Sequence, residues 1–202
     1  MNQKSFLDFI QSRRTCYQFL SKKEFPISSE FVEHCLQAAI YAPNHKLTQP
    51  WLFWVAGESF QQKLANIYAD NRALKNASVE SDNKESIYLS LYQKAFDKFN
   101  EIPQVILVGQ RLSNDPVVCK EDYAACACAI QNFQLMAWSL NIGVQWSTGP
   151  IISDQRTYDL LDINREQVEI IGALYLGVVD NDCKPNNTPK RKPINEVTVH
   201  LD

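Results

Sequence analysis

The sequence is poor in the motifs that build the common nucleotide and hydrolase sites. It has six glycines in 202 residues, and none belongs to a G-x-G-x-x-G turn after a strand or to a Walker-type phosphate loop. A G-x-S-x-G motif is also missing. These absences exclude a standard cradle for a dinucleotide or a nucleoside triphosphate. A Cys-His nucleophilic pair stays open, although no pattern marks one.

Metal-binding patterns are missing as well. The chain has six cysteines but no C-x-x-C pair, and its three histidines are far apart. Cys126 and Cys128 are two positions apart on a predicted helix, so their side chains point in different directions and cannot share a metal ion. We therefore expect no metal site and predict that the cysteines are free thiols, mostly buried.

Charge and hydrophobicity are unremarkable for a globular protein. The net charge of −3 gives no general attraction to nucleic acid or to a membrane surface. No apolar run is long enough to span a bilayer, and the N-terminus makes a better amphipathic helix than a signal peptide. The sequence predicts one domain over residues 1–202, located in the cytoplasm, with no nucleic-acid or membrane partner.

One long helix organises the chain, from Asp115 to Leu140. Asp115 provides an N-cap acceptor and Pro116 suits the first helical position, while Gly143 is the expected left-handed terminator. Two apolar stripes predict that the helix is buried on most of its circumference, with helices of a second subunit among the possible neighbours. The stripes are Cys126, Ile130, Phe133, Ala137 and Leu140, and Ala124, Cys128, Gln131, Leu135 and Trp138.

The other elements predict an α+β fold. Strands scattered among helices, without regular βαβ alternation, indicate a mixed sheet with helices on both faces. Segment 74–82 is expected to be a mobile loop, and 180–202 an extended arm that needs another surface. Gly172 and Gly177 are expected at bulges or close approaches. Predicted helices are 5–13, one from Ser28 to before Pro43, 59–73, 85–99 and 153–161; predicted strands are 51–57, 103–109, 144–147 and 168–179.

Three polar clusters and one turn carry the candidate chemistry. They are Arg13-Arg14-Thr15, Asn44-His45-Lys46 before Gln49-Pro50-Trp51, Lys190-Arg191-Lys192, and Trp146-Ser147-Thr148-Gly149. Taken singly, each has an ordinary explanation, such as a solvated helix end, a solvated tail or a core tryptophan. Their order along the chain is what makes them informative.

In that order the clusters resemble the FMN-dependent nitroreductase family, over residues 6 to 199. The sequence matches a subgroup in which Asp/Asn-His-Lys follows Ala-Pro. The matching segments are Arg13-Arg14-Thr15 with Phe19, Ala38-Ala39-Ile40-Tyr41-Ala42-Pro43-Asn44-His45-Lys46-Leu47-Thr48-Gln49-Pro50-Trp51, Ala129-Ile130-Gln131-Asn132-Phe133, Trp146-Ser147-Thr148-Gly149, Leu176-Gly177 and Arg191-Lys192-Pro193.

The resemblance implies a nitroreductase-like fold: a mixed, mainly antiparallel sheet flanked by helices, with a C-terminal extension that packs on the partner subunit. It implies an obligate homodimer with one FMN at each of two interface sites. It also implies ping-pong hydride transfer from NADH or NADPH to a small-molecule electron acceptor such as a nitroaromatic or a quinone. The cofactor carries this chemistry, so no protein acid or base is nominated.

The same resemblance predicts the cofactor contacts. Guanidinium and hydroxyl groups suit the FMN phosphate, which favours Arg13, Thr15 and Arg191. Backbone N–H groups of Thr148 and Gly149 would face flavin N5 and O4. The full predicted set is Arg13, Arg14, Thr15, Tyr41, His45, Gln49, Trp146, Ser147, Thr148, Gly149 and Arg191.

Two positions depart from the family pattern. Tyr17 stands where many members carry Lys or Arg near flavin N1 and O2, and Leu47 stands where many carry Asn. We expect His45, assisted by Lys46, to replace the lost ring contact. The alternatives are a non-catalytic flavin-binding protein and a flavoenzyme of the same fold with other chemistry, such as dehalogenation, azoline oxidation or flavin destruction.

Overall fold

The computed structural model has a four-stranded sheet between two layers of helices. It describes residues 3–76, 84–179 and 189–201. The elements are α1 (Gln3–Ser12), α2 (Ser29–Ile40), β1 (Trp51–Val55), α3 (Glu58–Asn76), α4 (Lys84–Asn100), β2 (Gln104–Arg111), α5 (Pro116–Ser139), β3 (Ile142–Ser147), α6 (Gln155–Leu161) and β4 (Val168–Val178).

The sheet has the strand order β1-β2-β4-β3, and each neighbouring pair is antiparallel. The segment after α1 joins the β3 side through two isolated bridges, a parallel one between Thr15 and Val144 and an antiparallel one between Phe19 and Val179. The predicted α+β class and the mainly antiparallel sheet are confirmed. The sheet therefore places the start of the chain beside β3 and the 44–51 segment beside β1, at opposite edges.

Both faces of the sheet are buried. In β2, Ile106 and Val108 face the core formed with α2 and α5, whereas Val105 and Leu107 face the core formed with α3 and α4. All of them are fully buried. Successive strand residues point to opposite faces, so a strand covered on both sides reads as a continuous apolar run, as it does here.

The start of α5 is as predicted. The Asp115 carboxylate accepts a hydrogen bond from the Val117 N–H at 2.8 Å, and Pro116 occupies the first helical position. The first apolar stripe is buried except for Leu140, which is 40% exposed. The second stripe is not buried within one chain: Ala124, Cys128 and Gln131 are exposed, and Leu135 and Trp138 are half-buried.

The left-handed terminator after α5 differs from the prediction. Asn141, with φ of 60°, takes the left-handed conformation, and Gly143 lies inside β3. Asparagine tolerates this conformation because its short side chain bonds locally. Gly143 is needed for another reason, since a Cβ there would lie 2.6 Å from the Cβ of Cys16. The glycine allows the segment after α1 to lie against β3.

Predicted boundaries are wrong at the ends of α3 and β1, and several others shift by one or two residues. The 74–82 loop begins too early, because α3 continues to Asn76; residues 77–83 lie outside the described part of the chain. Leu74 and Lys75 are good helix formers, so the helix has no local reason to stop before them. The predicted 51–57 strand ends at Val55. Within the predicted C-terminal arm, residues 189–201 are described.

The predicted close approaches at two glycines of β4 are confirmed. A Cβ on Gly172 would lie 2.2 Å from Trp146 Nε1, and one on Gly177 would lie 2.5 Å from Phe19. The β2–β4 register shifts beside Gly172, where Ile171 is the extra residue of a bulge. Both glycines therefore make room for aromatic side chains.

The described cysteines agree with the expectation of free, mostly buried thiols. Cys16, Cys35, Cys119, Cys126 and Cys128 are all free thiols, and Cys183 lies outside the described residues. Burial raises the pKa of Cys35 and of Cys126 to about 12. Of the helices described, none combines the length and the apolar character needed to cross a bilayer.

Candidate functional site

A cavity of about 570 Å³ opens beside β3 and β4. Its walls come from the segment after α1, from α3 and α4, from the two strands and from the turn after β3. Of the residues predicted for the site, Ser147 and Gly149 line it, as does Tyr17. In the structure, the Trp-Ser-Thr-Gly turn and the segment that follows the Arg-Arg-Thr motif thus line the same cavity.

Aromatic rings form one wall of this cavity. The Tyr68 and Phe99 ring centroids are 4.9 Å apart, and Phe99 meets Tyr175 edge-on at 5.5 Å. Such a wall offers large apolar surfaces with few rotatable bonds. A flat ring compound is the type of ligand that this surface suits.

The turn after β3 provides polar groups at the rim. The Gly149 N–H donates to Ser147 Oγ at 3.3 Å, and Ser147 and Tyr175 both line the cavity here. Burial raises the pKa of Tyr175 to about 12, against the opposing effects of Ser147 and the nearby Arg72 charge. The phenol is therefore neutral across the physiological pH range.

Trp146 lies on the other face of the sheet. Strand alternation directs Gln145 and Ser147 into the cavity and Trp146 toward the core formed with α2 and α5. Its indole Nε1–H donates to the Ile171 carbonyl at 3.4 Å. Within one chain, Trp146 thus packs against the core and does not line the cavity.

A cluster of guanidinium groups lies near the start of the chain. Arg13 is half-buried, and its pKa is lowered by burial first and then by the charges of Arg14 and Arg191. Arg14 donates to the backbone carbonyls of Gln11 and Arg13, at 2.5 and 3.0 Å. Crowded cations of this kind create a strong positive potential, which an anion would relieve.

The backbone connects this cluster to the cavity edge. The Cys16 N–H donates to the Val144 carbonyl of β3 at 3.2 Å, next to the bridge formed by Thr15. Thr15 is half-buried, and Tyr17 is already a cavity residue. The predicted phosphate contacts and the aromatic cavity therefore lie on one edge of the sheet.

The second predicted cluster, residues 44–49, is a strained loop at the β1 edge. Its backbone is fixed by three hydrogen bonds. Gln49 N–H donates to Asn44 Oδ1 at 3.0 Å, Thr48 Oγ1 donates to Asp122 Oδ1 at 2.6 Å, and Arg111 Nη1 donates to the Gln49 carbonyl at 3.1 Å. Positive φ angles occur at Lys46, Leu47 and Gln49. Strain in non-glycine residues is typical of functional loops.

The side chains on this loop face outward. His45, Gln49 and Tyr41 are all exposed, with Tyr41 at 84%. None of the three lines the cavity. They form an exposed surface on a single chain.

The two clusters are far apart in a single chain. Trp138 Nε1–H donates to Ser12 Oγ at 2.8 Å, which ties the arginine cluster to the C-terminal part of α5. Thr48 is bonded to Asp122 in the N-terminal part of the same helix. Those 16 residues of helix correspond to a separation of about 24 Å. The structure brings Arg13, Arg14, Thr15 and Arg191 together, but not with His45 and Gln49.

Sequence reasoning missed the cavity residues on α3, α4 and β4. Tyr68 and Arg72 come from α3, Lys98 and Phe99 from α4, and Tyr175 from β4. The available signal was weak: Tyr68 and Arg72 have the spacing of neighbours on one helix face. Across the described ranges, no group of His, Cys, Asp and Glu could hold a metal ion.

The fold and the site define an α+β protein with an aromatic cavity beside a guanidinium cluster. The chain belongs to the nitroreductase family, whose model matches residues 10–178. The nitroreductase family is a family of oxidoreductases, so the chain is an oxidoreductase enzyme.

Relatives with known sequences support this assignment. The chain is 30% identical over 195 residues to "Putative NAD(P)H nitroreductase YfhC" of Bacillus subtilis (strain 168), and the match covers 94% of this chain and 90% of the relative. It is 24% identical over 155 residues to "Putative NAD(P)H nitroreductase YdjA" of Escherichia coli (strain K12), covering 74% and 76%.

Solved structures share the fold. A nitroreductase-like family protein from Bacillus cereus superposes with a TM-score of 0.79 at 25% identity, covering 100% of this chain and 98% of that chain. A nitroreductase from Desulfovibrio desulfuricans, solved in complex with FMN, superposes with a TM-score of 0.69 at 20% identity, with coverage of 100% and 98%.

Proposed function

We propose that the protein is an FMN-dependent oxidoreductase that uses NADH or NADPH to reduce electron-poor acceptors such as nitroaromatics and quinones. The observation that carries the proposal is Arg13. Its half-buried guanidinium is crowded by Arg14 and Arg191, at the same sheet edge as the aromatic cavity. Side by side, a site for an anion and a site for a flat ring match the two ends of FMN.

Each part of the site has a role in this proposal. Arg13, Arg191 and the Thr15 hydroxyl hold the phosphate through charge-assisted hydrogen bonds. The wall of Tyr68, Phe99 and Tyr175 supports the ring. Backbone N–H groups of Thr148 and Gly149 would serve the polar edge of the ring, where N5 and O4 lie, with the Gly149 N–H exchanging its bond to Ser147 Oγ for one to the flavin. Bound FMN would supply the two-electron chemistry between NAD(P)H and the acceptor.

A homodimer completes the site. The predicted contacts at His45 and Gln49 belong to the loop that is bonded to Asp122, about 24 Å along α5 from the arginine cluster, so one chain cannot bring both to one ligand. Two copies packed antiparallel through the exposed stripe of α5 would place this loop of one copy near the cavity of the other. In that arrangement His45 of the second copy reaches the ring.

The flavin spectrum tests the function. We expect the purified protein to bind FMN, to lose its flavin absorbance when NADH or NADPH is added without oxygen, and to regain it when a quinone is added. A protein that binds FMN but keeps its absorbance with both nucleotides would be a flavin-binding protein without this activity. We place the enzyme in the cytoplasm, where both nucleotides are available.

A further inference from the structure

The cavity lacks a cation at the position where the family resemblance leads one to expect it. Tyr17 occupies that position and lines the cavity, but its phenol carries no positive charge. The charged side chains that line the cavity are Arg72, Lys98 and Glu101. Among the described residues, the positive charges that line this cavity therefore come from α3 and α4.

Arg72 is held against the cavity wall. Its Nε–H donates to the Tyr68 hydroxyl at 3.3 Å, and its guanidinium carbon lies 5.7 Å from the centroid of the Tyr68 ring. Tyr68 is itself fixed by its contact with Phe99. A cation stacked on a ring that is packed in this way has a defined position.

The charge of Arg72 reaches the polar rim of the cavity. It lowers the pKa of Tyr175, which lines the cavity together with Ser147 and Gly149 of the turn after β3. Arg72 is therefore a cavity cation whose charge acts on a group beside the turn that would face the polar edge of the flavin.

We propose that the positive charge of Arg72 stabilises the reduced flavin. Arg72 thereby takes the role of the cation that is missing at Tyr17. This inference rests on the proposed function. A flavin that has accepted a hydride from NAD(P)H carries two more electrons and one negative charge, shared by N1 and O2. A nearby cation stabilises that charged form more than the neutral oxidised form, and so raises the reduction potential.

The test compares Arg72→Gln with Arg72→Lys and Arg165→Gln in the full-length protein. Arg165 is a matched control because its guanidinium also stacks on a tyrosine, 4.4 Å from the Tyr158 ring, but does not line this cavity. For each variant, the dissociation constants of oxidised and reduced FMN are measured, with the redox potential of bound FMN as a second readout.

We expect Arg72→Gln to weaken binding of reduced FMN about tenfold more than binding of oxidised FMN, which lowers the potential by about 30 mV. Arg72→Lys keeps the charge and should stay near the wild-type ratio, and Arg165→Gln should leave the ratio unchanged. Retained binding of oxidised FMN by Arg72→Gln would show that the variant is folded.

An unchanged ratio in Arg72→Gln, with FMN still bound, overturns the role of Arg72 and leaves the proposed function standing. A ratio that changes in His45→Ala and not in Arg72→Gln overturns it too, in favour of the loop of a second copy. Failure of the wild-type protein to bind FMN overturns the proposed function and this inference together.

Discussion

Arg13 is the residue on which cofactor binding depends most. We predict that Arg13→Ala weakens FMN binding by roughly ten- to a hundredfold, because a hydrogen bond to a charged group contributes about 1.5–3 kcal/mol. The unfolding free energy of the apoprotein should not fall, since the substitution removes repulsion from Arg14 and Arg191. Fluorescence titration of FMN and urea unfolding measure the two effects.

Arg165→Ala is the control for this prediction, because it removes the same charge at a site that does not line the cavity. If Arg13→Ala binds FMN as tightly as Arg165→Ala does, the phosphate site lies elsewhere.

Gly172 is required by the tryptophan beside it. We predict that Gly172→Ala lowers the free energy of unfolding by about 1–3 kcal/mol, because the new methyl group would lie 2.2 Å from Trp146 Nε1 and a packed indole cannot move aside cheaply. Gly57→Ala is the control, since no atom lies within 4 Å of a Cβ there. Equal losses in the two variants, measured by urea unfolding, would refute this explanation.

Residue-level prediction from sequence succeeded where one side chain acts through a local motif. Asp115 and Ser28 cap their helices as expected, because the bond spans only two or three residues. The face on which Trp146 lies could not be predicted in this way, since it depends on which side of the sheet the cavity occupies.

At the scale of elements, an ion-pair network joins α3, α4 and α6. Arg156 bonds to Asp70 at 2.6 Å and to Asp154 at 2.7 Å, Tyr88 donates to Asp70, and Asn71 donates to Asp154. The hydrogen bond from Arg156 holds the pKa of Asp154 at about 2. Of these helices, α3 and α4 carry part of the cavity wall, so the network ties that wall to α6.

The lowered pKa gives a prediction about acid stability. A carboxylate whose pKa is lower in the folded protein stabilises it above the unfolded pKa of about 4. That contribution is lost as the pH falls to about 2. We expect Asp154→Asn, which preserves the helix cap, to be less stable at neutral pH and to lose less stability than wild type between about pH 4 and about pH 2.

Urea unfolding at a series of pH values measures this effect. Arg156→Gln removes the partner charge and should flatten the acid profile in the same way as Asp154→Asn. Profiles in both variants as steep as in wild type would contradict the assigned ion pair.

Element boundaries were predictable where the signal was local. The apolar run of β2 and the capped start of α5 are found near their predicted positions, at Gln104–Arg111 and Pro116–Ser139. The residue that terminates α5 was not predictable, because Gly143 serves the tertiary contact with Cys16 rather than the helix. A glycine needed for close approach looks the same in sequence as one needed for a left-handed turn.

At the scale of the whole molecule, the exposed stripe of α5 is the predicted interface. We expect Cys128→Glu to shift the protein from dimer toward monomer and to weaken FMN binding at least about tenfold, because a buried unpaired charge costs several kcal/mol. Light scattering after size exclusion measures the mass. Leu89→Glu is the control, since Leu89 is 56% exposed on α4, away from this stripe.

A monomeric wild-type protein, or a Cys128→Glu protein that remains a dimer with normal FMN affinity, would contradict this interface. The sequence alone predicted a buried helix surface, but it could not tell burial within a chain from burial between chains, because both produce the same apolar spacing.

The most direct measurement is sedimentation velocity of the wild-type protein with FMN, monitored at both the protein and the flavin absorbance bands. We predict that the flavin sediments with a species of twice the 23.2 kDa chain mass, at one FMN per chain. A species with the mass of one chain, or a flavin that does not sediment with the protein, would contradict a shared FMN site between two copies.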